Sequence, residues 1–199
     1  MSQILLLQSS LNGPASRTNQ LMERFLQTRR EQGHQDQVVV RDLTALDLPV
    51  LDSPLFHPLR GAEPANEAIR QAVAQSDRLI AELKAADLLL IGAPMYNLNV
   101  PTPLKNWFDL VARAGVTFRY TDTYPMGLVE GVNALVFSSR GGVHQGQATD
   151  AVTPYLQSVL GLMGIAEVEF VYAEGMDLRP HGAEQGMREA HARIAGLGR

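Results

Sequence analysis

There is no cysteine among the 199 residues. Disulfides, thiolate metal sites and a thiol nucleophile are therefore excluded. The histidines are few, His34, His57, His144, His181 and His191, and they form no zinc spacing. No stretch approaches the ~20 apolar residues of a membrane span. The opening "MSQILLLQSS" has no basic leader and too short an apolar run for a signal peptide, so a cytoplasmic location is expected. A strong charge of one sign is also missing: 17 basic against 21 acidic residues leave a net −4. Neither nucleic acid nor an acidic membrane surface is an expected partner. G-x-x-x-x-G-K-[ST] and G-x-G-x-x-G are both absent, which argues against a nucleoside triphosphate and a dinucleotide fingerprint. No G-x-S-x-G elbow and no carboxylate or histidine cluster points to hydrolysis.

What is present is a 45% hydrophobic chain in which short apolar runs alternate with helical patterns. Five runs read as strands: "QILLLQ" from residue 3, "QVVVRDL" from 37, "DLLLIGA" from 87, "NALVFSS" from 133 and "EVEFVYAE" from 167. Between them lie helical patterns at 16–33, 66–86, 103–115 and 150–164, and a last helix from about Pro180. This predicts one domain over 1–199, of the α/β class: a flavodoxin-like three-layer sandwich on a five-stranded parallel sheet in the order 2-1-3-4-5. Two segments interrupt the alternation. Residues 43–63 are long and Pro-rich for a connection, as functional loops often are. Residues 115–131 read as a small β-excursion.

In such a sheet, ligands sit outside the carboxyl ends of the strands, at the switch point. The loops there follow strands one, three and four. "SSLNGPASRTNQ" offers Ser10, Ser16, Arg17 and Thr18 at a helix start, which suits a phosphate, although Ser16 equally reads as a helix cap. "PMYNLN" stiffens at Pro94 and presents Met95, Tyr96, Asn97 and Leu98, the parts needed to grip a flat ring along its polar edge. It also reads as a plain Pro-rich turn. "SRGGVH" offers Ser139, Arg140 and the pair Gly141 and Gly142, which allow close backbone approach, with His144 beyond. A tight turn and a solvated histidine are the plain readings there. Taken together on one sheet edge, the loops describe a mononucleotide with a flat head, FMN. No metal is expected.

With these segments the chain resembles the FMN-dependent NADH-azoreductase family. The resemblance rests on "SS" at 9–10, "VRDL" at 40–43, "APMYN" at 93–97, "LKNWFDLVARAGVTFRYT" at 104–121, "GLV" at 127–129, "SRGG" at 139–142, "TPYL" at 153–156, "GI" at 164–165 and "AEG" at 173–175. It implies a homodimer with FMN at each interface and NADH or NADPH as donor. It further implies ping-pong reduction of small aromatic acceptors: quinones, azo compounds and, as a further class, nitroaromatics. The cofactor-binding residues it implies are the loop residues just named. No side chain is an obligate catalyst; Tyr120 and His144 are the candidates to donate hydrogen bonds to an acceptor. Departures from some family members are Leu98 in place of Phe, Leu162 in place of an aromatic and Arg17 in place of Gln. A flavodoxin-type electron carrier is the competing reading; it would show a strongly acidic face near the flavin.

Overall fold

Alternation along the strands decides the layers. In β1 (Gln3–Gln8), Leu5 and Leu7 join one buried cluster while Ile4 and Leu6 join the other. The same split recurs in β3 (Leu88–Gly92), with Leu89 and Ile91 opposite Leu90. It recurs again in β6 (Asn133–Ser139), with Val136 opposite Phe137. A strand buried on both faces has no polar side, which explains its continuous apolar run. β2 (Gln37–Asp42) and β7 (Val168–Ala173) close the edges, and the order is β2-β1-β3-β6-β7, all parallel. The expected strand order is therefore the observed one. The structure, a computed structural model, describes residues 1–180 and 182–197, so His181 lies outside it.

Helices α1 (Arg17–Glu31) and α6 (Gly182–Leu197) cover one face. Helices α3 (Glu67–Ala85), α4 (Thr102–Val111) and α5 (Val152–Met163) cover the other. Trp107 and Phe108 of α4 are fully buried there, each contributing roughly 1.5–3 kcal/mol by burial. Between β2 and α3, the long connection holds the short α2 (Ser53–Phe56) and a 3₁₀ turn at Pro58–Arg60. Among the described residues no helix is long and apolar enough to cross a membrane.

Helix α4 stops at Val111, three residues short of the sequence expectation, which places Gly115 just beyond its end. The hydroxyl of Thr117 donates to the Val111 carbonyl and accepts from the Arg113 amide, capping the helix from outside. Arg113 then turns inward, donating from Nε to the Leu59 carbonyl and from Nη1 to Ser76 Oγ and Asp77 Oδ1. The long connection is thereby tied to the α3–α4 face. The expected excursion is a two-residue ladder, β4 (Phe118–Arg119) against β5 (Met126–Gly127). It lies on the end of α5, where the Leu128 and Val129 amides both donate to the Met163 carbonyl. Gly127 and Gly164 meet there backbone to backbone: a Cβ on Gly127 would overlap Gly164 and the Met163 carbonyl carbon.

Candidate functional site

The loops after β1, β3 and β6 meet at the carboxyl edge of the sheet, and hydrogen bonds lace them together. The Met95 amide donates to the Ser139 carbonyl. Tyr96 reaches back to the first loop: its hydroxyl accepts from the Leu11 amide at 3.1 Å and shares a 3.2 Å hydrogen bond with Ser10 Oγ. Both readings of Ser16 hold in part. It is the N-cap of α1, accepting from the Asn19 amide at 3.2 Å, and it also contacts Thr18 Oγ1 at 3.1 Å. Ser10, Ser16 and Thr18 are buried, whereas Arg17 is exposed and, among the described residues, its side chain donates only to Gln20.

The second loop is a tight reversal. Tyr96 and Asn99 exchange both backbone hydrogen bonds, and between them Asn97 and Leu98 sit at φ 50° and 65°. Two successive non-glycine residues in the left-handed region cost about 1–2 kcal/mol each. Such strain concentrates where a structure must present its backbone to something.

The third loop faces two ways. Its carbonyls point into the protein: those of Arg140, Gly141 and Gly142 accept from Met176, Asp177 and Gly175 respectively. Among the described residues nothing accepts from the amides of Gly141, Gly142 and Val143. The amides of Asn97 and Leu98 are likewise without protein acceptors, as are those of Arg17 and Thr18 in the first turn of α1. Three sets of unpaired donors thus border one edge.

At that edge a cavity of about 310 Å³, which reaches Arg17 and Gly141 but not Asn97 or Leu98, is lined by Arg17, Pro94, Met95, Tyr96, Ser139, Arg140 and Gly141. Asn12, Met176, Asp177 and Ala183 complete its wall. Asn12 belongs to the first loop, whose polar residues point to a phosphate, whereas Met176, Asp177 and Ala183 were not legible as site residues. Met176 and Asp177 follow β7, whose carboxyl end shares the same edge; that topological fact is the signal that would have found them. A second cavity of about 410 Å³ lies across the ring loop, lined by Tyr96, Asn97, Asn99, Val100, Thr102, Lys105 and Tyr155. Burial, with the Asp109 carboxylate nearby, pushes the Tyr155 hydroxyl up, so it stays protonated as a donor. Lys105 is paired to Asp109 at 2.7 Å.

His144 and Tyr120 line neither of these two cavities. His144 is held by Thr149 through Nδ1 at 2.8 Å, with its ring against Gly142. Tyr120 is 70% exposed on the excursion and touches Phe118 edge-on. Arg140 borders the cavity, but its guanidinium is buried and turned away, in contact with Asp150 and Glu174. Among the described residues no cluster of His, Asp and Glu is arranged to hold a metal ion.

A family model described as a flavodoxin-like fold matches residues 2–197. The chain belongs to that family. Within it, the chain is 64% identical over 197 residues to a Burkholderia lata protein named FMN-dependent NADH:quinone oxidoreductase 4, covering 99% of each. It is 53% identical over 197 residues to an Aeromonas salmonicida protein named FMN-dependent NADH:quinone oxidoreductase, again covering 99% of each. The solved azoreductase from Bacillus anthracis superposes with a TM-score of 0.88 at 28% identity, covering 100% of this chain and 99% of that one. The resemblance drawn from the sequence therefore stands. The family member's donor set also fits FMN on its own terms. A helix start with free amides, a cation and hydroxyls suits one terminal phosphate. The two strained amides and the three loop amides suit the polar edge of a flat ring.

Proposed function

We propose that the protein is an FMN-dependent NADH:quinone oxidoreductase that also cleaves aromatic azo compounds and accepts nitroaromatics. The observation that carries this reading is the convergence of the three unpaired amide sets on one sheet edge. Bound FMN would supply two-electron redox chemistry, taking an electron pair from NADH and giving it to a quinone. Two such pairs, with four protons, convert one azo bond into two amines. The chain's own part is binding and electrostatics. Arg17 and the first turn of α1 would hold the phosphate. Asn97 and Leu98 would hold the ring edge through their amides. The Gly141, Gly142 and Val143 amides would face the place where negative charge collects on reduction. Preorganised donors there cost no rearrangement when that charge arrives. The second cavity, beside the ring loop, would receive donor and acceptor in turn, with Tyr155 offering a proton-bearing hydroxyl.

The site would be completed by a second copy. Phe56, Leu98, Tyr120 and Tyr124 are 40%, 45%, 70% and 80% exposed, an unusual amount of apolar and aromatic surface to leave in water. A two-fold contact would bury it at both sites together. The setting would be the cytoplasm, where reduced nicotinamide is supplied.

Denaturing the purified yellow protein should release FMN, about one per chain; release of FAD would overturn the reading. The yellow protein should oxidise NADH with a quinone acceptor. Sedimentation and FMN content followed together through dilution should show activity falling as the dimer dissociates; a fully active FMN-bound monomer would refute the dimer.

A further inference from the structure

Arg140 is a charged residue in a binding loop, yet its charge is directed into the protein. Its side chain is wholly buried. Nε donates to Ser138 Oγ at 3.1 Å and Nη2 to Thr153 Oγ1 at 3.0 Å. Nη1 lies 3.0 Å from Asp150 Oδ2 and 3.2 Å from Glu174 Oε1. The guanidinium face lies over the Tyr172 ring, 4.6 Å from its centroid. A wholly buried guanidinium engaged at all three nitrogens, with four of its five N–H donors directed at Ser138, Thr153, Asp150 and Glu174, is turned away from any phosphate in the cavity.

Each partner is itself held. Asp150 accepts from the Thr153 amide and hydroxyl at 3.1 and 2.7 Å, at the start of α5. Burial would raise the Asp150 pKa, but hydrogen bonds from Thr153 and Arg140 outweigh it and hold the carboxyl below its usual range. Glu174 Oε1 accepts from the His144 amide at 2.8 Å and the Gln145 amide at 2.9 Å as well as from Arg140. The loop is therefore pinned at both ends by one ion cluster. Arg140 anchors its start, Glu174 anchors His144 and Gln145, and the free amides of Gly141, Gly142 and Val143 form the arch between. The cluster joins one cation to two carboxylates, so its formal charge is −1, directly behind the arch.

We propose that Arg140 is a positioning residue, which through Glu174 holds the 141–143 amides toward the cofactor while the cluster's net negative charge sets how readily that cofactor is reduced. The proposal rests on the FMN reading above. Three amides in an arch present a fixed donor field only if the arch cannot breathe. A buried arginine bridging two carboxylates is a stiff clamp, because removing one partner leaves the others buried and unpaired. A negative charge behind the donors opposes the negative charge gained on reduction, so the cluster tunes the potential without touching the ligand.

The test uses two conservative variants, Arg140→Lys and Glu174→Gln, in the full-length protein. Lysine keeps the charge but cannot span four acceptors. FMN should bind the Arg140→Lys apoprotein about tenfold more weakly, the equivalent of one charge-assisted hydrogen bond. Amide exchange at His144 and Gln145 should speed up by about the same factor, measured where both apoproteins are folded. Glutamine keeps the Oε1 acceptor and removes one negative charge. Glu174→Gln should therefore bind FMN with nearly the parent affinity while the midpoint potential of the bound flavin rises. Parent-like FMN affinity and parent-like exchange in Arg140→Lys would overturn the proposal, and so would an unmoved potential in Glu174→Gln. If the parent apoprotein takes up no FMN, the cofactor reading fails, and the exchange measurement still decides whether Arg140 holds the loop.

Discussion

Replacing Gly127 by alanine adds one methyl group where the excursion lies on the end of α5. The new Cβ would overlap Gly164 and the Met163 carbonyl carbon, which are backbone and cannot swing aside. Two responses are open to the chain. If the excursion stays in place, the overpacking costs about 1–3 kcal/mol. If it lifts, the Leu128 and Val129 hydrogen bonds to the Met163 carbonyl are lost, at about 1 kcal/mol each. Val129, 2% exposed, would then lose part of its burial as well. Against either stands a gain of about 0.4–1 kcal/mol from the stiffer unfolded chain. The net expectation is a loss of about 1–2 kcal/mol, or roughly 2–8 °C in melting temperature for a chain of this size. Circular dichroism and the emission of the single, fully buried Trp107 report the transition, both at one fixed protein concentration because assembly shifts melting. Gly161→Ala is the matched control: the site is helical, a Cβ there meets nothing within 4 Å, and stability should rise by about 0.5–1 kcal/mol. A Gly127→Ala protein within about 0.5 kcal/mol of the parent, the scatter of ordinary surface changes, would refute the close backbone contact.

Gly141→Val should abolish tight FMN binding while the apoprotein still folds. Its Cβ would also come within 2.5 Å of Asp177 Oδ2, so Asp177→Ala combined with it separates the causes: stability should recover and FMN binding should not. Tyr96→Phe removes the hydroxyl that bridges Ser10 and Leu11, and FMN affinity should fall about fivefold, equivalent to ~1 kcal/mol, in a titration of apoprotein. Asp36 is held below its usual range chiefly by its hydrogen bonds from Arg29, at 2.6 and 2.8 Å. A depressed folded pKa means the stabilisation is present above the unfolded value and is lost as pH falls through the folded one. Asp36→Asn should thus cost about 1–2 kcal/mol at neutral pH, and urea titrations should show that gap narrowing in acid; a widening gap would contradict the sign.

The strands and their order were readable because burial on two faces leaves an unmistakable run, as in Leu88–Gly92, and because five such runs permit few arrangements. The three loops were readable because the sheet's carboxyl edge gathers them. Direction was not readable. Arg140 as a residue type reads as an anion ligand, and only the folded chain brings Glu174, 34 residues away, to turn it inward. Left-handed Asn97 and Leu98 gave no sign in composition, since neither is glycine. The early end of α4 depends on a hydroxyl six residues beyond Val111, a local competition that periodicity does not register. Gly127 and Gly164 stood out in the sequence as members of short resembling segments, but the reason they are glycines is their contact with each other.

The outward amides at 97–98 and 141–143 have a consequence for how such a protein can change over time. An amide belongs to every residue but proline, so most substitutions along these loops leave the donors in place. What mutation can alter is the scenery around them: the exposed side chain of Leu98, the rings on the 118–124 segment, and Thr102, Lys105 and Tyr155 in the second cavity. In the proposed function, attachment of the prosthetic group would rest on backbone amides and choice of acceptor on the side chains around them. On the proposed function, a lineage of such proteins could shift its choice of acceptor by altering peripheral side chains, without once passing through an ancestor that has lost its cofactor.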